Sequence, residues 1–196
     1  MKKLILATGN PGKVREMKQI LAGLYDEVIS MKEAGVAVDV VEDADSFLGN
    51  AAKKALAISQ LVECDVVADD SGLCVDGLGG RPGVYSARYS AEGTDEANNA
   101  KLVQEVSQLG EEQRGAHYEC AIVLARKGEV AFSCECRCDG QIILEARGSE
   151  GFGYDPYFLL PEYDKTFGEI EPAIKNQISH RAKALAELRQ FAEQER

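Results

Sequence analysis

The sequence predicts an α/β domain with a mixed central sheet, and three observations carry this prediction. Short apolar runs typical of buried strands alternate with helical periodicity through the first half of the chain. Two longer strand patterns in the second half flank Lys127 and Gly128, which fit a hairpin turn. Neither a linker nor an internal repeat divides the 196 residues. We therefore expect a single domain over residues 1–196, with two lobes around a cleft.

A β-loop-α-β unit opens the chain. The apolar residues 3–7 predict a buried first strand, which ends in the turn formers of residues 8–12. Apolar residues then recur at helical spacing over residues 13–24, and residues 27–31 predict the second strand. In such units ligands bind beyond the carboxyl ends of the strands, beside the loop that starts the helix.

The next segment combines two helices with a strand. Ser46 can cap a helix whose apolar stripe comprises Phe47, Leu48, Ala51, Ala55, Ile58 and Leu61. Residues 65–68 predict a third strand, which runs into the acidic turn formers of residues 69–72. Thr94 or Asp95 caps a further helix, which we expect to reach residue 109.

The second half is richer in strand patterns. Residues 118–126 and 129–138 predict the two strands of the hairpin, and residues 141–145 predict a shorter one. Glycine and proline constrain the loop at residues 151–156. Residues 178–191 place apolar side chains in register for a closing helix.

Charge and hydropathy argue against two classes of protein. The chain has 22 basic and 33 acidic residues, a net charge of −11, whereas proteins that bind nucleic acid normally present a broad basic face. No apolar run approaches the length of a membrane span, and no signal peptide is recognisable. We therefore expect a soluble cytoplasmic protein with neither nucleic acid nor membrane as a partner. A small phosphate ligand stays compatible with this charge, because local lysines and a divalent cation act at close range.

Three of the six cysteines, Cys134, Cys136 and Cys138, alternate along a predicted strand and therefore share one of its faces. A metal site is one interpretation, but the usual CxxC or Cys/His spacing is absent. The pattern favours a buried face of small, soft side chains. In a reducing cytosol we expect all six thiols to be free.

The segment TGNPGK at residues 8–13 is the first candidate site. A strand, a glycine loop and a helix N-terminus present backbone N–H groups and a partial positive charge to an anion. Lys13 adds a full charge, and Thr8 and Asn10 add side-chain donors. The segment is not a Walker A loop, which has four residues between its glycines and a hydroxyl after its lysine. An ordinary β–α turn with a surface lysine is the alternative.

Asp69 and Asp70 follow directly on a predicted apolar strand. Two adjacent carboxylates are costly to hold together unless a cation or solvent relieves their repulsion. Since successive side chains of a strand point opposite ways, only one of them need face the cleft. That one could ligate Mg²⁺ or accept a proton from water. A solvated acidic turn is the alternative for Asp69 and Asp70. For the further charges of Glu42, Asp43, Lys53 and Lys54, the alternative is a solvated loop and helix face.

The loop GFGYDP at residues 151–156 holds two aromatic rings and a carboxylate between glycines and a proline. Exposed rings on a stiff loop suit stacking on a base, and the carboxylate could accept from a ring N–H or an amine. Packing of these rings into the core is the alternative. Near the closing helix, His180 and Arg181 can donate outward, whereas His117 is interpreted as structural.

Five segments in this order resemble the inosine triphosphatase or Ham1-like family of pyrophosphatases, which act on non-standard purine nucleoside triphosphates. They are residues 8–13 (TGNPGK), 68–73 (ADDSGL), 82–89 (PGVYSARY), 151–156 (GFGYDP) and 178–181 (ISHR). The resemblance implies an elongated α/β fold with a central cleft, a homodimer and a requirement for Mg²⁺. The reaction it implies is hydrolysis of ITP, dITP and XTP at the α-β phosphoanhydride, yielding the nucleoside monophosphate and pyrophosphate.

The resemblance also implies roles for the acidic residues. Asp70 would be the general base and a Mg²⁺ ligand. Glu42 aligns best as the second metal carboxylate. Ala44 stands where the family commonly has glycine, so Asp43 and Asp45 are alternatives for this ligand.

For substrate binding, the resemblance implies that the glycine loop and Lys54 hold the triphosphate and that Phe152 stacks on the base. Donors at residues 180 and 181 or on the loop would pair with the 6-keto group of the purine, whereas adenine would leave them unpaired. The substrate-binding residues implied are Thr8, Gly9, Asn10, Pro11, Gly12, Lys13, Lys54, Ser71, Phe152, Gly153, Tyr154, Asp155, Lys175, His180 and Arg181.

Two other functions stay open. A pyrophosphatase for modified pyrimidines or dUTP would use the same chemistry with a different pocket. A catalytically silent nucleotide-binding module is the second. The combination of Lys13, Lys54, Asp69 and Asp70 argues against it, because binding alone needs no general base.

Overall fold

Seven strands form one sheet in the computed structural model, which describes residues 2–195. The strands are β1 (Lys3–Leu6), β2 (Glu27–Ser30), β3 (Asp65–Val75), β4 (Gly115–Arg126), β5 (Glu129–Ile142), β6 (Phe158–Leu160) and β7 (Lys165–Thr166). Their order across the sheet is β2-β1-β3-β4-β5-β6-β7. β1 pairs in parallel with β2 and β3, whereas β6 pairs antiparallel with β5 and β7. The predicted mixed sheet is confirmed.

The described residues divide into two compact units, each with its own hydrophobic core. Unit 1 contains residues 2–70, 120–136 and 181–195, and unit 2 contains residues 71–119 and 137–180. Within residues 2–195, no helix combines the length and the hydropathy that a membrane span requires.

The core of unit 1 joins β1 to helices α1 (Pro11–Ile20) and α5 (His180–Gln194). Leu4, Leu6, Met17, Leu185 and Leu188 are buried in this one cluster. Burial of each such side chain contributes roughly 1.5–3 kcal/mol. The packing fixes the loop between β1 and α1, which carries the first candidate site.

α1 begins two residues earlier than the periodicity predicts and ends four residues sooner. Asn10 is its N-cap, and Pro11 occupies the first turn, where its missing N–H is not needed. The chain leaves the helix after Ile20 and turns through Gly23, whose φ is 77°. Leu24 is nevertheless buried, so its apolar spacing reflects the core and not a longer helix.

Helix α2 (Phe47–Ser59) confirms the predicted cap and most of the predicted stripe. The Ser46 hydroxyl accepts a hydrogen bond from the amide of Gly49 at 3.1 Å. Phe47, Ala51, Ala55 and Ile58 are buried. Leu61 is 60% exposed, because the helix ends before it.

We expect Ser46→Ala to lower the free energy of unfolding by about 1 kcal/mol, because the first turn of α2 loses its side-chain acceptor. Urea denaturation monitored by circular dichroism measures this loss. Ser46→Asp retains an acceptor and adds charge that suits a helix N-terminus, so its stability should stay near that of the parent chain. Equal losses for both variants would contradict the capping role.

The core of unit 2 is aromatic. Tyr118 of β4 lies 4.7 Å from Phe158 and 5.9 Å from Phe167, measured between ring centroids. Helix α3 (Asp95–Val106), capped by Thr94, buries Leu102 and Val106 in the same cluster. Helix α4 (Pro172–Ile178) and short 3-10 turns at Asp76–Leu78, Gly83–Arg88, Glu111–Gln113 and Asp155–Tyr157 complete the elements.

Three strands are longer than the sequence predicts, and one of them, β4, begins at Gly115 and not at residue 118. β3 runs on to Val75, so Asp69 and Asp70 lie inside a strand and not at its end. Their charges do not end the strand because both side chains find partners within unit 1, as described below. β5 extends to Ile142, so residues 141–145 do not form a separate strand. Between β4 and β5, Lys127 and Gly128 both have positive φ, as the two-residue hairpin turn requires.

The predicted closing helix is two helices. α4 ends at Ile178, and α5 begins at His180, because Ser179 adopts an extended conformation with φ −68° and ψ 160°. The apolar stripe at helical spacing therefore combines residues of both cores. Ile178 packs in unit 2, whereas Leu185 packs in unit 1.

The cysteines along β5 lie on its packed face, as the alternation predicts. Cys134 and Cys136 pack against the core of unit 1, and Cys138 lies in the core of unit 2. All six thiols are free. Cys138 is buried, whereas Cys134 and Cys136 are half-buried, so the interpretation as a buried face of soft side chains is confirmed only in part.

Candidate active site

The loop between β1 and α1 presents an exposed helix N-terminus. The Asn10 side chain accepts hydrogen bonds from the amides of Gly12 and Lys13 at 2.9 and 3.1 Å, and the Asn10 amide donates to the Thr8 hydroxyl at 3.2 Å. Gly9 is exposed, and a Cβ added there would meet no atom within 4 Å. An anion can therefore approach this loop closely, although the capping side chain already occupies two of the amides expected to bind it.

Lys13 is held by a buried carboxylate. Its Nζ lies 2.9 Å from Oδ2 of Asp69. Arg181 of α5 contacts the same carboxylate through Nε at 3.3 Å and also pairs with Glu16 of α1. We expected Arg181 to donate outward, but it is only 2% exposed. Two carboxylates of unit 1 are thus among the direct partners of its guanidinium.

The charges around Asp69 decide its protonation. Burial alone would raise the pKa of Asp69, but Lys13, Arg181 and Lys54 outweigh it and hold the pKa well below its ordinary value. Burial likewise opposes the charge of Arg181, while Asp69 and Glu16 raise its pKa. Asp69 is therefore ionised and holds the ammonium group of Lys13 in an ion pair. Nothing in the sequence pattern singles out Glu16 as a member of this network.

Asp70 points away from Asp69, as alternation along a strand requires. The Asn50 side chain of α2 donates to Oδ2 of Asp70 at 3.0 Å and accepts from the amide of Ala44 at 2.9 Å. Asn50 thus ties Asp70 to the acidic loop that precedes α2. Burial raises the pKa of Asp70, Glu42 raises it further, and Lys54, Asn50 and Lys13 oppose these effects.

The three acidic candidates in the loop before α2 are not equivalent. Glu42 is half-buried, and its Oε2 lies 2.9 Å from Nζ of Lys54, which also donates to the carbonyl of Asp69 at 2.8 Å. Asp43 is exposed and pairs with Lys53, and Asp45 is exposed. Only the carboxylate of Glu42 is held by a residue that also binds β3.

A divalent cation fits the donor set of Asp70 and Glu42. Both offer carboxylate oxygens, the ligands that Mg²⁺ prefers. The raised pKa of Asp70 indicates that the neighbouring cations only partly compensate its negative charge in this buried position. A cation at this carboxylate would relieve that cost.

The aromatic loop of unit 2 is tied to α4 by a buried ion pair. Nζ of Lys175 lies 2.6 Å from Oδ2 of Asp155 and 5.0 Å from the ring centroid of Phe152. Oδ2 of Asp155 also accepts from the amide of Phe152 at 3.0 Å. Phe152 is partly exposed, whereas Asp155 is buried. The ring of Phe152 is therefore accessible, while the carboxylate fixes the loop and Lys175.

The same loop is fixed to α3 by two polar side chains. The amide of Gly153 donates to Asp95 at 2.8 Å, and Asn99 donates to the carbonyl of Gly153 at 3.0 Å. The Tyr154 hydroxyl donates to the carbonyl of Ser86 at 2.6 Å, and this ring is buried. Tyr154 thus anchors the loop from beneath. Nothing in the sequence pattern distinguishes Asp95 and Asn99 as loop supports.

His180 and Ser71 complete the predicted residues of unit 2. The His180 ring stacks on Tyr118 at 4.7 Å between centroids with an interplanar angle of 8°, and it is buried. His180 therefore packs in the core of unit 2 and does not lie on an outer helix face as we expected. Ser71 follows Asp70 on β3 and is half-buried.

Gly151 is required at its position in the loop. Its φ is 78°, and a Cβ there would lie 2.0 Å from Oδ2 of Asp155. We expect Gly151→Ala to cost at least about 1–2 kcal/mol from the left-handed backbone and to displace the carboxylate that holds Lys175. Urea denaturation checks the first effect.

Gly35→Ala is the matched control, since Gly35 also has positive φ but a Cβ there would meet nothing within 4 Å. It should show the backbone effect alone. A Gly151→Ala variant that loses no more stability than Gly35→Ala would contradict the contact with Asp155.

The predicted residues thus form two sets, one in each unit. Lys13, Lys54, Glu42 and Asp70 are brought together in unit 1 with Asp69 and Arg181. Phe152, Asp155 and Lys175 form a second set in unit 2. The first set has the charges that a polyphosphate and a cation need, and the second offers a ring and an ammonium group.

Comparison with known proteins covers nearly the whole chain. A dITP/XTP pyrophosphatase of Geobacillus kaustophilus is 49% identical over 189 residues, which is 96% of this chain and 93% of the relative. A dITP/XTP pyrophosphatase of Bacillus subtilis is 45% identical over 194 residues, or 98% of each protein. The structure of the Ham1 protein of Staphylococcus aureus superimposes with a TM-score of 0.87 at 36% identity over 100% of both chains. The sequence model of the Ham1 family matches residues 4–191, and this chain therefore belongs to the Ham1 family.

Proposed function

We propose that this protein hydrolyses ITP, dITP and XTP at the α-β phosphoanhydride, with Mg²⁺, to the nucleoside monophosphate and pyrophosphate. The observation that carries the proposal is the convergence in unit 1 of Lys13, Lys54, Glu42 and Asp70. The relatives that share this chain's full length are named dITP/XTP pyrophosphatases. Removal of such nucleotides from the cellular pool is the role that follows.

The triphosphate binds to the loop of residues 8–13 and to Lys54. Thr8, Asn10 and Lys13 offer donors at the N-terminus of α1, and the open side of Gly9 lets a phosphate reach the backbone. Gly12 and Pro11 set the first turn of that helix. Because Asp69 orients Lys13 and the carbonyl of Asp69 orients Lys54, both ammonium groups are positioned before substrate arrives.

Asp70 acts as the general base. Asn50 fixes the orientation of its carboxylate, and burial raises its pKa while no cation is bound. It takes a proton from the attacking water, whose oxygen bonds to the α-phosphorus while the bridging P–O bond breaks and pyrophosphate leaves. Asp70 and Glu42 would hold the Mg²⁺, which would neutralise the phosphate charge.

The base binds to residues of unit 2. Phe152 stacks on the purine ring, Gly153 and Tyr154 shape the loop, and Asp155 holds Lys175 for donation to the 6-keto group. His180, Ser71 and Arg181 complete the substrate-binding set that the resemblance implies. Adenine presents a donor in place of the keto oxygen, and sites that depend on such a hydrogen bond discriminate by ~10⁴–10⁵.

The remaining expectations are part of the same proposal. Residues 1–196 act as a single domain in a homodimer of the cytoplasm, with a nucleoside triphosphate as partner and no nucleic acid. The net charge of −11 argues against a nucleic-acid partner. The six free thiols fit a reducing compartment. The homodimer rests on the family resemblance alone, and gel filtration with light scattering measures it.

The substrate panel tests the function directly. The purified protein is incubated with Mg²⁺ and, separately, with ITP, XTP, dITP, GTP, ATP and dUTP, and both products are identified. We expect pyrophosphate and monophosphate from ITP, XTP and dITP, with GTP and ATP nearly untouched. Release of single phosphates would show that another bond is cut. A preference for dUTP would move the specificity to pyrimidines, and binding without turnover would leave a silent nucleotide-binding module.

A further inference from the structure

Three metal-binding side chains of different types converge in unit 2, and the proposed reaction uses none of them. Cys74 lies on β3, and His117 and Glu119 lie on the neighbouring strand β4. One ligand atom from each residue lies within 4.8 Å of the other two. His117 and Glu119 share one face of β4, since Tyr118 between them points into the aromatic core.

The distances suit a small tetrahedral ion. Nε2 of His117 lies 3.6 Å from Oε2 of Glu119. Zinc bond lengths place the ligands of a tetrahedral site roughly 3.3–3.6 Å apart. The side chains of His117 and Glu119 are 20% and 29% exposed, so small rotations can bring both nearer to the sulfur. Their partial exposure also gives an ion a route from solvent.

Cys74 differs from an ordinary buried thiol. It is only 8% exposed, and among the described residues its sulfur has no hydrogen-bond partner, whereas the sulfurs of Cys134 and Cys136 each have one. Burial, together with the charges of Glu119 and Asp76, raises the pKa of the Cys74 thiol to about 11. These carboxylates disfavour a bare thiolate and favour a cation at the same place. The sulfur thus lies among negative charges, and no group in residues 2–195 forms a hydrogen bond with it.

We propose that Cys74, His117 and Glu119 bind one zinc-class divalent ion through sulfur, Nε2 and a carboxylate oxygen, with water as fourth ligand. A thiolate and an imidazole select Zn²⁺ or Co²⁺ over Mg²⁺. Cys74 releases its proton on binding, so thiolate and carboxylate together balance the charge of the ion. The site is separate in chemistry from the pair of Asp70 and Glu42, which offers oxygen ligands alone. The ion links β3 to β4 within unit 2 and stabilises that unit.

Cobalt titration of the full chain, freed of metal with a chelator, tests this site. We expect one thiolate-bound Co²⁺ per chain, with visible bands of tetrahedral cobalt and a thiolate-to-cobalt charge-transfer band that Zn²⁺ abolishes by competition. Added Zn²⁺ should also raise the melting temperature, because the ion binds the folded state. Cys74→Ser should remove the charge-transfer band. His117→Gln and Glu119→Gln should weaken binding by at least the roughly 10–100-fold that loss of an outer partner costs.

Two control variants make the result specific. The double variant Cys134→Ser/Cys136→Ser removes two of the three half-buried thiols of unit 1 and should keep the full cobalt signal. Asp70→Asn should keep it as well. Circular dichroism checks that each variant is folded. If Cys74→Ser fails to fold, cobalt binding by Glu119→Gln, at a partly exposed position, tests the site instead. No charge-transfer band in the parent chain, unchanged binding in Cys74→Ser or Glu119→Gln, or loss in the double variant would each overturn the proposal.

Discussion

Asp70→Asn is expected to lower the turnover of ITP by about 10³-fold, within the roughly 10²–10⁴-fold range of general-base catalysis. The amide cannot take the proton of the attacking water, and it is a poorer ligand for a divalent cation than a carboxylate. The fold should persist, because the amide oxygen can still accept from Asn50 as the carboxylate does. Pyrophosphate release under saturating substrate measures the effect.

The stability of Asp70→Asn separates a catalytic role from a structural one. Because burial raises the pKa of Asp70, the ionised side chain is held at a cost, and the neutral amide should leave the melting temperature unchanged or raise it. Asp43→Asn is the matched control, since Asp43 is exposed and pairs only with Lys53 among the contacts described. Its turnover should stay within about twofold. Near-normal turnover in Asp70→Asn would remove Asp70 from the mechanism.

A second pair of positions, Glu42 and Asp43, tests the second metal ligand. Glu42→Gln should raise the Mg²⁺ concentration needed for half-maximal activity, because only Glu42 shares Lys54 with β3. Asp43→Asn should leave this concentration unchanged. The reverse outcome would assign the ligand to Asp43.

Arg181→Met is expected to lower the free energy of unfolding by about 3–5 kcal/mol, the usual cost of removing one partner of a buried ion pair. The change leaves Asp69 buried with only part of its compensating charge and Glu16 without its arginine. Urea denaturation measures the loss. Arg181→Lys should recover only part of it, because an ammonium group lacks the planar fork that reaches both carboxylates.

A double variant isolates the ion pair from the loss of packing. The free energy of unfolding of Arg181→Met/Asp69→Asn should fall by less than the sum of the losses in the two single variants. Each single change already breaks the same network of ion pairs. Arg137→Met is the control, because Arg137 and its partner Asp139 are both more than half exposed. Its stability should be nearly unchanged. A loss in Arg181→Met no larger than in Arg137→Met would show that the buried pair does not stabilise unit 1.

Local patterns were sufficient for most elements of the fold. Caps at Ser46 and Thr94 lie where their hydroxyls predict them, and the Lys127–Gly128 turn follows from two residues that tolerate positive φ. The predictions failed where burial overrode local preference. Asp69 and Asp70 look like turn formers, yet they continue β3 because partners distant in sequence neutralise and bind their side chains.

The candidate site likewise combines residues that the sequence predicted with contacts that it could not predict. Residue types and spacing marked Lys13, Asp70 and the aromatic loop, because phosphate binding and base stacking need those side chains. The sequence could not assign the second carboxylate, which the structure distinguishes by the bond between Glu42 and Lys54. It also placed Arg181 on an outer helix face, whereas the guanidinium is buried.

The sequence by itself determined the α/β class, the order of the helices and strands as far as β5, and the segments that carry the chemistry. Each of these depends on neighbours along the chain, through periodicity, capping and turn preference. Only the tertiary structure decided which charges meet. Glu16 and Asp69 reach Arg181, and Cys74 reaches His117, across separations for which helical and strand periods carry no information. Ion pairs and metal sites depend on distances in space, and packing of the two cores sets those distances.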